Sequence, residues 1–510
     1  MSQILVANKS FYETFSHAAT KHSDASIVVH SDTHPQQFTL DEVFKRGRAV
    51  GAHLQSLGVG DGDVVAVMLP AWSEWLTAMV GAAYAGAVFL PIVTAYKAKE
   101  LAFVLRQSKA RVILTPETFR GVDYVALLKQ CGPLSDLKHH FVVGKNYAAI
   151  ENGPAGEDPF DVSSETFAFL VYTSGTTADP KGVMHSSATL LSELDAQATS
   201  RNATGDQVYL SPWPPGHVAG ALQLLRFLVH GTPLVTMDQW SAEDAAMLVE
   251  THGITDSSGT PFHMIGILEA AAAGQNNLSS FQNYVLGAAP VPATLVQQCV
   301  DLGINVVHAY GSSEHPTVTM GKATDSLESR LNTEGGVMPG SEIIIVDEND
   351  SVLANGEGEI LTRGPELFLG YFDTRLNQSA FLTGGWYRTG DVGHLDKNGH
   401  LLITDRKKDI IIRGGENISS REVEDAMRQM PGVIDAAAIA VPDSRFGERV
   451  KVFVESTSEA PSIDQIVQHF LSLGITKQKT PEFVERISAL PRNATGKVLK
   501  AELRKRAAGH

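Results

Sequence analysis

Little in this 510-residue chain is built for a covalent framework, a membrane or a polyanion. Only two cysteines occur, Cys131 and Cys299. They are too few for a disulfide framework or a four-thiolate metal site, and they fit a reducing cytosol. Lys and Arg number 41 against 57 Asp and Glu, a formal charge of −16. That balance argues against nucleic acid as a main partner, because backbone phosphates are held by clustered cations. An anionic small molecule must then be captured by local loops and not by a field over the whole surface. The opening MSQILVANKSFYETF has no basic segment leading into an apolar core, so no secretory signal is read and the expected location is cytoplasmic. The uncharged run Trp75 to Tyr96 is rich in Ala and Gly and is interrupted by Gly81, Gly86 and Pro91. It reads as a buried helix followed by a short strand, with no transmembrane segment expected. No internal repeat or low-complexity tract is present.

The length exceeds one comfortable core, so two to four domains are expected. Residues 38–58 carry helical spacing, with Val43, Val50 and Leu54 on one face and Gly58 as a C-cap. Val64 to Leu69 and Arg111 to Thr115 read as strands, with a helix over Leu101 to Gln107 between them. Further strands are expected at 207–211, 233–236, 284–287, 304–308 and 342–346. Strands alternating with helices imply an α/β fold with parallel sheets. Residues 145–165 are polar and turn-rich and read as a surface linker. From about 350 the texture changes to short strands, Gly turns and charge, with Asn398-Gly399 marking a hairpin. The cluster Asp405 to Asp409 then suggests a boundary, giving domains 1–405 and 406–510.

Five stretches carry chemistry. In TFAFLVYTSGTTADPKGVMHSS, from Thr166 to Ser187, a β-rich run breaks into hydroxyls, a glycine and one lysine. That order suits an anionic phosphate: glycine permits close approach, N–H and hydroxyl groups donate, and Lys181 supplies charge. It is not a Walker A loop, since the lysine precedes the second glycine. A Ser/Thr-rich surface loop would account for the composition but not for the order. Second is His308-Ala309-Tyr310-Gly311-Ser312-Ser313-Glu314, whose carboxylate suits a hard cation such as Mg²⁺. Tyr387 to Asp391 (YRTGD) offers a carboxylate to a diol, or a turn cap. The charged cluster 405–409 reads by itself as a solvated linker. Finally, Pro491 to Lys497 (PRNATGK) is a turn presenting a lysine that by itself reads as a surface group.

Together, and in this order, the five stretches resemble the adenylate-forming superfamily of acyl-CoA synthetases, luciferases and peptide-synthetase adenylation domains. The family's YTSGTTGxPKG loop matches Tyr172 to Gly182, with Ala178 at a usual glycine. Tyr310 to Glu314 matches aromatic-Gly-x-[TS]-E, Tyr387 to Asp391 matches Y-x-TGD, Asp405 to Asp409 resembles the hinge motif, and Pro491 to Lys497 matches PxxxxGK. The resemblance implies a large N-terminal domain with parallel-rich αβ sheets and a small β-barrel-like subdomain, followed by a small mobile α+β domain. It implies that Thr173, Ser174, Gly175, Thr176, Thr177 and Lys181 hold the ATP phosphates. Gly287, Ala288, Ala289, Tyr310 and Gly311 are then expected around adenine, Ser313 at the α-phosphate, Asp391 and Arg406 at the ribose, and Glu314 on Mg²⁺. Lys497 matches the catalytic lysine of adenylation. The resemblance also implies Lys408 as the hinge, and Gly414 and Gly415, in the loop Arg413 to Asn417, as part of the channel for the cosubstrate CoA.

Acid specificity is thinner. Trp213 to Gly220 (WPPGHVAG) resembles the family segment lining the acyl pocket. His217 sits near the place where amino-acid-activating relatives carry an Asp, so it argues against an amino acid; a core or gating histidine stands level with a substrate contact, and it enters as a catalytic and acyl-pocket candidate. Acetate-activating relatives close the pocket with Trp where Gly311 stands here; glycine favours a longer or cyclic acid. Ala219, Leu222, Ala288 and Ala309 are expected as apolar walls. His315-Pro316 departs from the usual small residues after the glutamate. The expectation is therefore an ATP-dependent acid–CoA ligase (an AMP-forming acid–thiol ligase) for a hydrophobic fatty, alicyclic or aromatic acid. The alternative is an adenylating enzyme that loads a carrier protein in trans, less favoured because no carrier domain follows Lys497. An inactive nucleotide-binding regulator is a remote third. Oligomeric state is not legible in the sequence.

Overall fold

In a computed structural model, the described residues are 9–173, 180–201, 205–289, 291–457, 459–493 and 496–508. The chain divides into two compact units. The first comprises residues 1–175, 179–342 and 363–381, and the second 176–178, 343–362 and 382–510.

The first unit is built on two sheets with crossover helices. A seven-stranded sheet runs parallel through Val64–Val67, Val88–Pro91, Val112–Pro116, His139–Val143 and Phe167–Thr173, and continues from the last in antiparallel pairs through Lys181–Ser186 to Gly370–Tyr371. A nine-stranded sheet holds Ser26–His30, Tyr209–Ser211, Leu234–Met237, Asp256–Gly259, Asn283–Leu286 and Asn305–Tyr310 in parallel. Between strands, the chain obeys its apolar spacing. The helix Leu40–Ser56 starts at a Thr39 capping box with Glu42, buries Val43, Val50 and Leu54, and gives way to Gly58 in a left-handed conformation. The uncharged run becomes the helix Ser73–Ala85 and the strand Val88–Pro91, both almost wholly buried. Among the described residues, no helix is long and apolar enough to cross a membrane.

Two features depart from the expected pattern. The stretch 145–165 is not a plain linker: Tyr147–Glu151 forms a short helix whose Tyr147, Ile150 and Glu151 are buried. The strand Asp256–Gly259 was not anticipated, because its sequence DSSG has no apolar residue. It lies buried between two parallel neighbours, with the Ser257 hydroxyl donating to the Leu210 carbonyl and Ser258 accepting from Trp213 Nε1 and Gln223 Nε2. Hydrogen bonds there replace the hydrophobic signal.

The second unit contains a sheet with Gly358–Arg363, Trp386–Leu395 and Leu401–Arg406 as antiparallel neighbours. The Asn398-Gly399 turn joins the last two, with Gly399 at φ 79° and the Asp396 carboxylate accepting from the Asn398 and His400 amides. A second sheet is organised by the long hairpin Val433–Asp443 and Gly447–Ser456. Alternation along it feeds two cores, one with Ala438, Val452, Val423 and Phe470, the other with Ile439, Phe453, Leu490 and Leu503. The helix Ser420–Arg428 is docked on Asp405, whose carboxylate accepts from the Ser420 amide and hydroxyl.

Candidate active site

In the first unit, Thr173 and Lys181 are cross-strand partners that end and begin the two strands of a hairpin. Ser174, Gly175, Thr176 and Thr177 of the expected phosphate loop lie outside the described residues. Lys181 is exposed, and its ammonium sits 4.9 Å from the centroid of the Tyr371 ring. The same tyrosine donates its hydroxyl to Glu314 Oε1 at 2.7 Å. One buried phenol thus touches both the expected phosphate lysine and the expected metal carboxylate. Sequence reasoning passed over Tyr371; the Gly370-Tyr371 pair, a small residue opening a strand, was the available signal.

The other candidates in this unit gather where α/β sheets place ligand sites, at the carboxyl ends of parallel strands. Trp213 to Ala219 follow Tyr209–Ser211, Gly287 to Ala289 follow Asn283–Leu286, and Tyr310 to Glu314 close Asn305–Tyr310. Ala288 is held at φ +61°, a strained conformation for a residue with a Cβ and one that clusters at ligand clamps. At Gly311, an added Cβ would lie 1.9 Å from the Pro316 carbonyl oxygen. The glycine is therefore demanded by the loop closing on itself, with the Ser312 amide donating to the His315 carbonyl, whatever space it leaves for an acid.

Two histidines hold that loop from beneath. His185 Nε2 lies 2.8 Å from the Ser313 carbonyl, which only accepts, so this nitrogen carries the proton and Nδ1 faces the Thr189 hydroxyl. Burial pulls the imidazole down to about 4, keeping it neutral. His315 is buried, with Nε2 3.1 Å from the Ser341 hydroxyl and 3.6 Å from Glu366, which accounts for a residue the family pattern left unexplained. His217 precedes the helix Val218–His230. Burial takes it to about 4, and Nε2 is sealed from solvent without a hydrogen-bond partner among the described residues. Leu222 is buried on that helix, while Ala219 and Ala309 are half-buried.

In the second unit, Asp391 and Arg406 are register partners on neighbouring strands and form an ion pair at 2.8 Å. The turn bearing Lys497 is closed by Asn493, whose Oδ1 accepts the Lys497 amide while its own amide donates back to the Lys497 carbonyl. Burial lowers the Lys497 ammonium to about 8; Arg406 and Lys408 push the same way, and Asp391 and Asp409 oppose them. Asp391 and Arg406 are thus brought together, and both act on the charge of Lys497. Lys408 is exposed on the turn that follows, its pKa lowered by desolvation and by Arg406. Gly414 and Gly415, at φ 62° and 90°, make the two-residue turn between Ile411–Arg413 and Glu416–Ile418, a backbone that strongly favours glycine at both positions.

Two families match this chain. "AMP-binding enzyme" covers residues 15–372, and "AMP-binding enzyme C-terminal domain" covers 422–497. The chain belongs to the AMP-binding enzyme family. Among curated relatives, it is 32% identical to a medium-chain fatty-acid–CoA ligase of Escherichia coli K12, over 93% of this chain and 86% of that one. It is also 32% identical to a Rhodococcus jostii CoA ligase of a methyl-dioxo-octahydroindenyl propanoate, over 96% of each. Among solved structures, a Mycobacterium tuberculosis fatty acyl CoA synthetase superposes with a TM-score of 0.79 at 26% identity, covering 98% of both chains. Binding of ATP or AMP follows from membership. The large sheet domain and the smaller C-terminal α+β region match what the family resemblance implied.

Proposed function

We propose that this chain activates a hydrophobic carboxylic acid as its acyl-adenylate and then transfers the acyl group to the thiol of CoA. Acid–CoA ligation is the activity named for its relatives, whose acids include medium-chain fatty, alicyclic and aromatic ones. The observation that carries the reading is Lys497, half-buried beside the Asp391–Arg406 pair. A carboxylate attacking the α-phosphate brings two anions together, and a positioned ammonium offsets the charge as it builds. Asp391 and Arg406 take the ribose; Thr173, Lys181 and the loop between them take the β- and γ-phosphates; Ser313 faces the α-phosphate. Gly287, Ala288, Ala289, Tyr310 and Gly311 flank adenine.

Glu314 offers one carboxylate, which fits Mg²⁺, a cation that keeps waters and shares phosphate oxygens with one or two carboxylates. Bound there, the ion would neutralise phosphate charge. His217, neutral and with Nε2 unfilled, donates to or accepts from the bound acid, and Ala219, Leu222 and Ala309 line its chain. For the second step, residues 406–510 act as a mobile domain about Lys408, withdrawing Lys497 and presenting Gly414 and Gly415 to pantetheine. The cytoplasm is the proposed location.

The test is a pyrophosphate-release screen over fatty, alicyclic and aromatic acids, with and without CoA. CoA-dependent AMP formation with a hydrophobic acid is the expected result. Pyrophosphate release with no thioester, rescued by a phosphopantetheinyl carrier protein, would favour carrier loading in trans. No release with any acid would sink the ligase reading.

A further inference from the structure

The segment Phe368–Phe372 is strapped between the strand that Lys181 begins and the loop that carries Glu314. The Phe368 amide donates to the Glu314 carbonyl, the Leu369 amide to the Met184 carbonyl, and the Phe372 amide to the Gly182 carbonyl. Tyr371 lies opposite Val183, two residues beyond Lys181, and its amide donates to Asn377 Oδ1 at 2.7 Å. The ring is 3% exposed and packs edge-on against Phe368 at 5.0 Å. A residue held at its backbone amide, with its ring packed and its hydroxyl bonded, has almost no freedom left, so whatever it touches is held with it.

We propose that Tyr371 is a positioning residue that couples the phosphate-side lysine to the metal-side carboxylate. Its hydroxyl fixes one oxygen of Glu314 and turns the other toward the cation, while its ring face supports the Lys181 ammonium without neutralising it. The two contacts reinforce one another. A phenol donating to a carboxylate gains electron density in its ring, which strengthens the attraction for a cation on its face. One phenol thereby stands between the ammonium and the carboxylate. A direct Lys181–Glu314 ion pair would spend both groups before nucleotide arrived. The inference rests on the reading of Lys181 and Glu314 given above.

The test uses the full chain, ATP and Mn²⁺ as the metal probe, with no acid present, so that nothing turns over. Mn²⁺ binding is read by electron paramagnetic resonance, and metal-free ATP binding by calorimetry. Tyr371→Phe keeps the ring and the strap. It is expected to weaken Mn²⁺ in the nucleotide complex roughly tenfold, the scale of one hydrogen bond to a charged group, and to leave metal-free ATP binding within about twofold. Tyr371→Leu removes the ring as well and is expected to weaken metal-free ATP binding several-fold. In a Glu314→Gln background, Tyr371→Phe is expected to have no further effect on Mn²⁺, a non-additivity that a general packing defect would not produce. Unchanged Mn²⁺ affinity in Tyr371→Phe, or additive losses in the double variant, would overturn the proposal and leave the ligase reading standing. Wild-type protein that binds neither ATP nor Mn²⁺ would overturn both.

Discussion

Asp391 and Arg406 stand opposite each other on adjacent antiparallel strands, 2.8 Å apart at their charged groups, with Lys497 drawn in beside them. Asp391 pairs with Arg406 and also raises the Lys497 ammonium against the repulsion of Arg406. This grouping makes the functional reading testable one half-reaction at a time.

Removal of the ammonium should separate the steps. Lys497→Ala is expected to lower adenylation by a factor on the order of 10²–10³, the scale of one preorganised charge contact, while sparing thioester formation from supplied acyl-adenylate. Pyrophosphate release and CoA consumption, assayed independently, give the two rates. Equal loss of both would remove Lys497 from the first step.

The same lysine sets a pH limit. Its folded pKa, about 8, lies below the ordinary 10.5, so the free enzyme loses the charge on Lys497 as pH rises through about 8. The kcat/KM for ATP in adenylation should fall along a one-proton limb there. Lys497→Arg, which stays protonated, should lose that limb even at a lower plateau; a limb that persists in the arginine variant would assign it to another group.

A second titration concerns stability. Glu193 is fully buried, and burial raises it to about 7; the Thr317 hydroxyl, donating to it, opposes the shift and Glu366 adds to it. A carboxyl whose folded pKa is raised contributes stability below its ordinary 4.5 that is lost as pH climbs through 7. Glu193→Gln should therefore gain in melting temperature relative to the wild type between pH 5 and pH 8. A pH-independent difference would show that Glu193 keeps the same charge across that range.

Much of this was open to reading in the amino-acid order. Helices and strands followed apolar spacing wherever burial was paid for by Val, Leu and Ile, and the five motifs needed only residue type and sequence. What escaped depended on three-dimensional proximity. Asp256–Gly259 is a core strand held by hydroxyl hydrogen bonds, so no hydrophobic alternation announces it. Tyr147 and Ile150 anchor a helix inside a stretch whose composition is that of a loop. Tyr371 became a site residue only when a strand far along the chain paired with Val183. The roles of Ser174 to Thr177 rest on the motif alone.

The hairpin at Gly414-Gly415 offers a further separation. Both glycines sit at positive φ, and an added Cβ on Gly415 would meet nothing within 4 Å. Gly415→Ala is expected to cost about 1 kcal/mol of backbone strain, with a selective loss of thioester formation. Unaltered CoA kinetics in a folded variant would remove this turn from the pantetheine channel.

Gly311 bears on how the substrate range of this lineage can drift. By the family resemblance, a bulky residue there would shorten the proposed acyl cavity in a single step. Here the Pro316 carbonyl already occupies the place of the first side-chain atom. That shortcut is closed unless His315-Pro316 changes too, and His315 is tied to Ser341 and lies near Glu366. In the proposed acyl pocket, adaptation to small acids would then proceed by filling Ala219 or Ala309 instead, or by several changes at once.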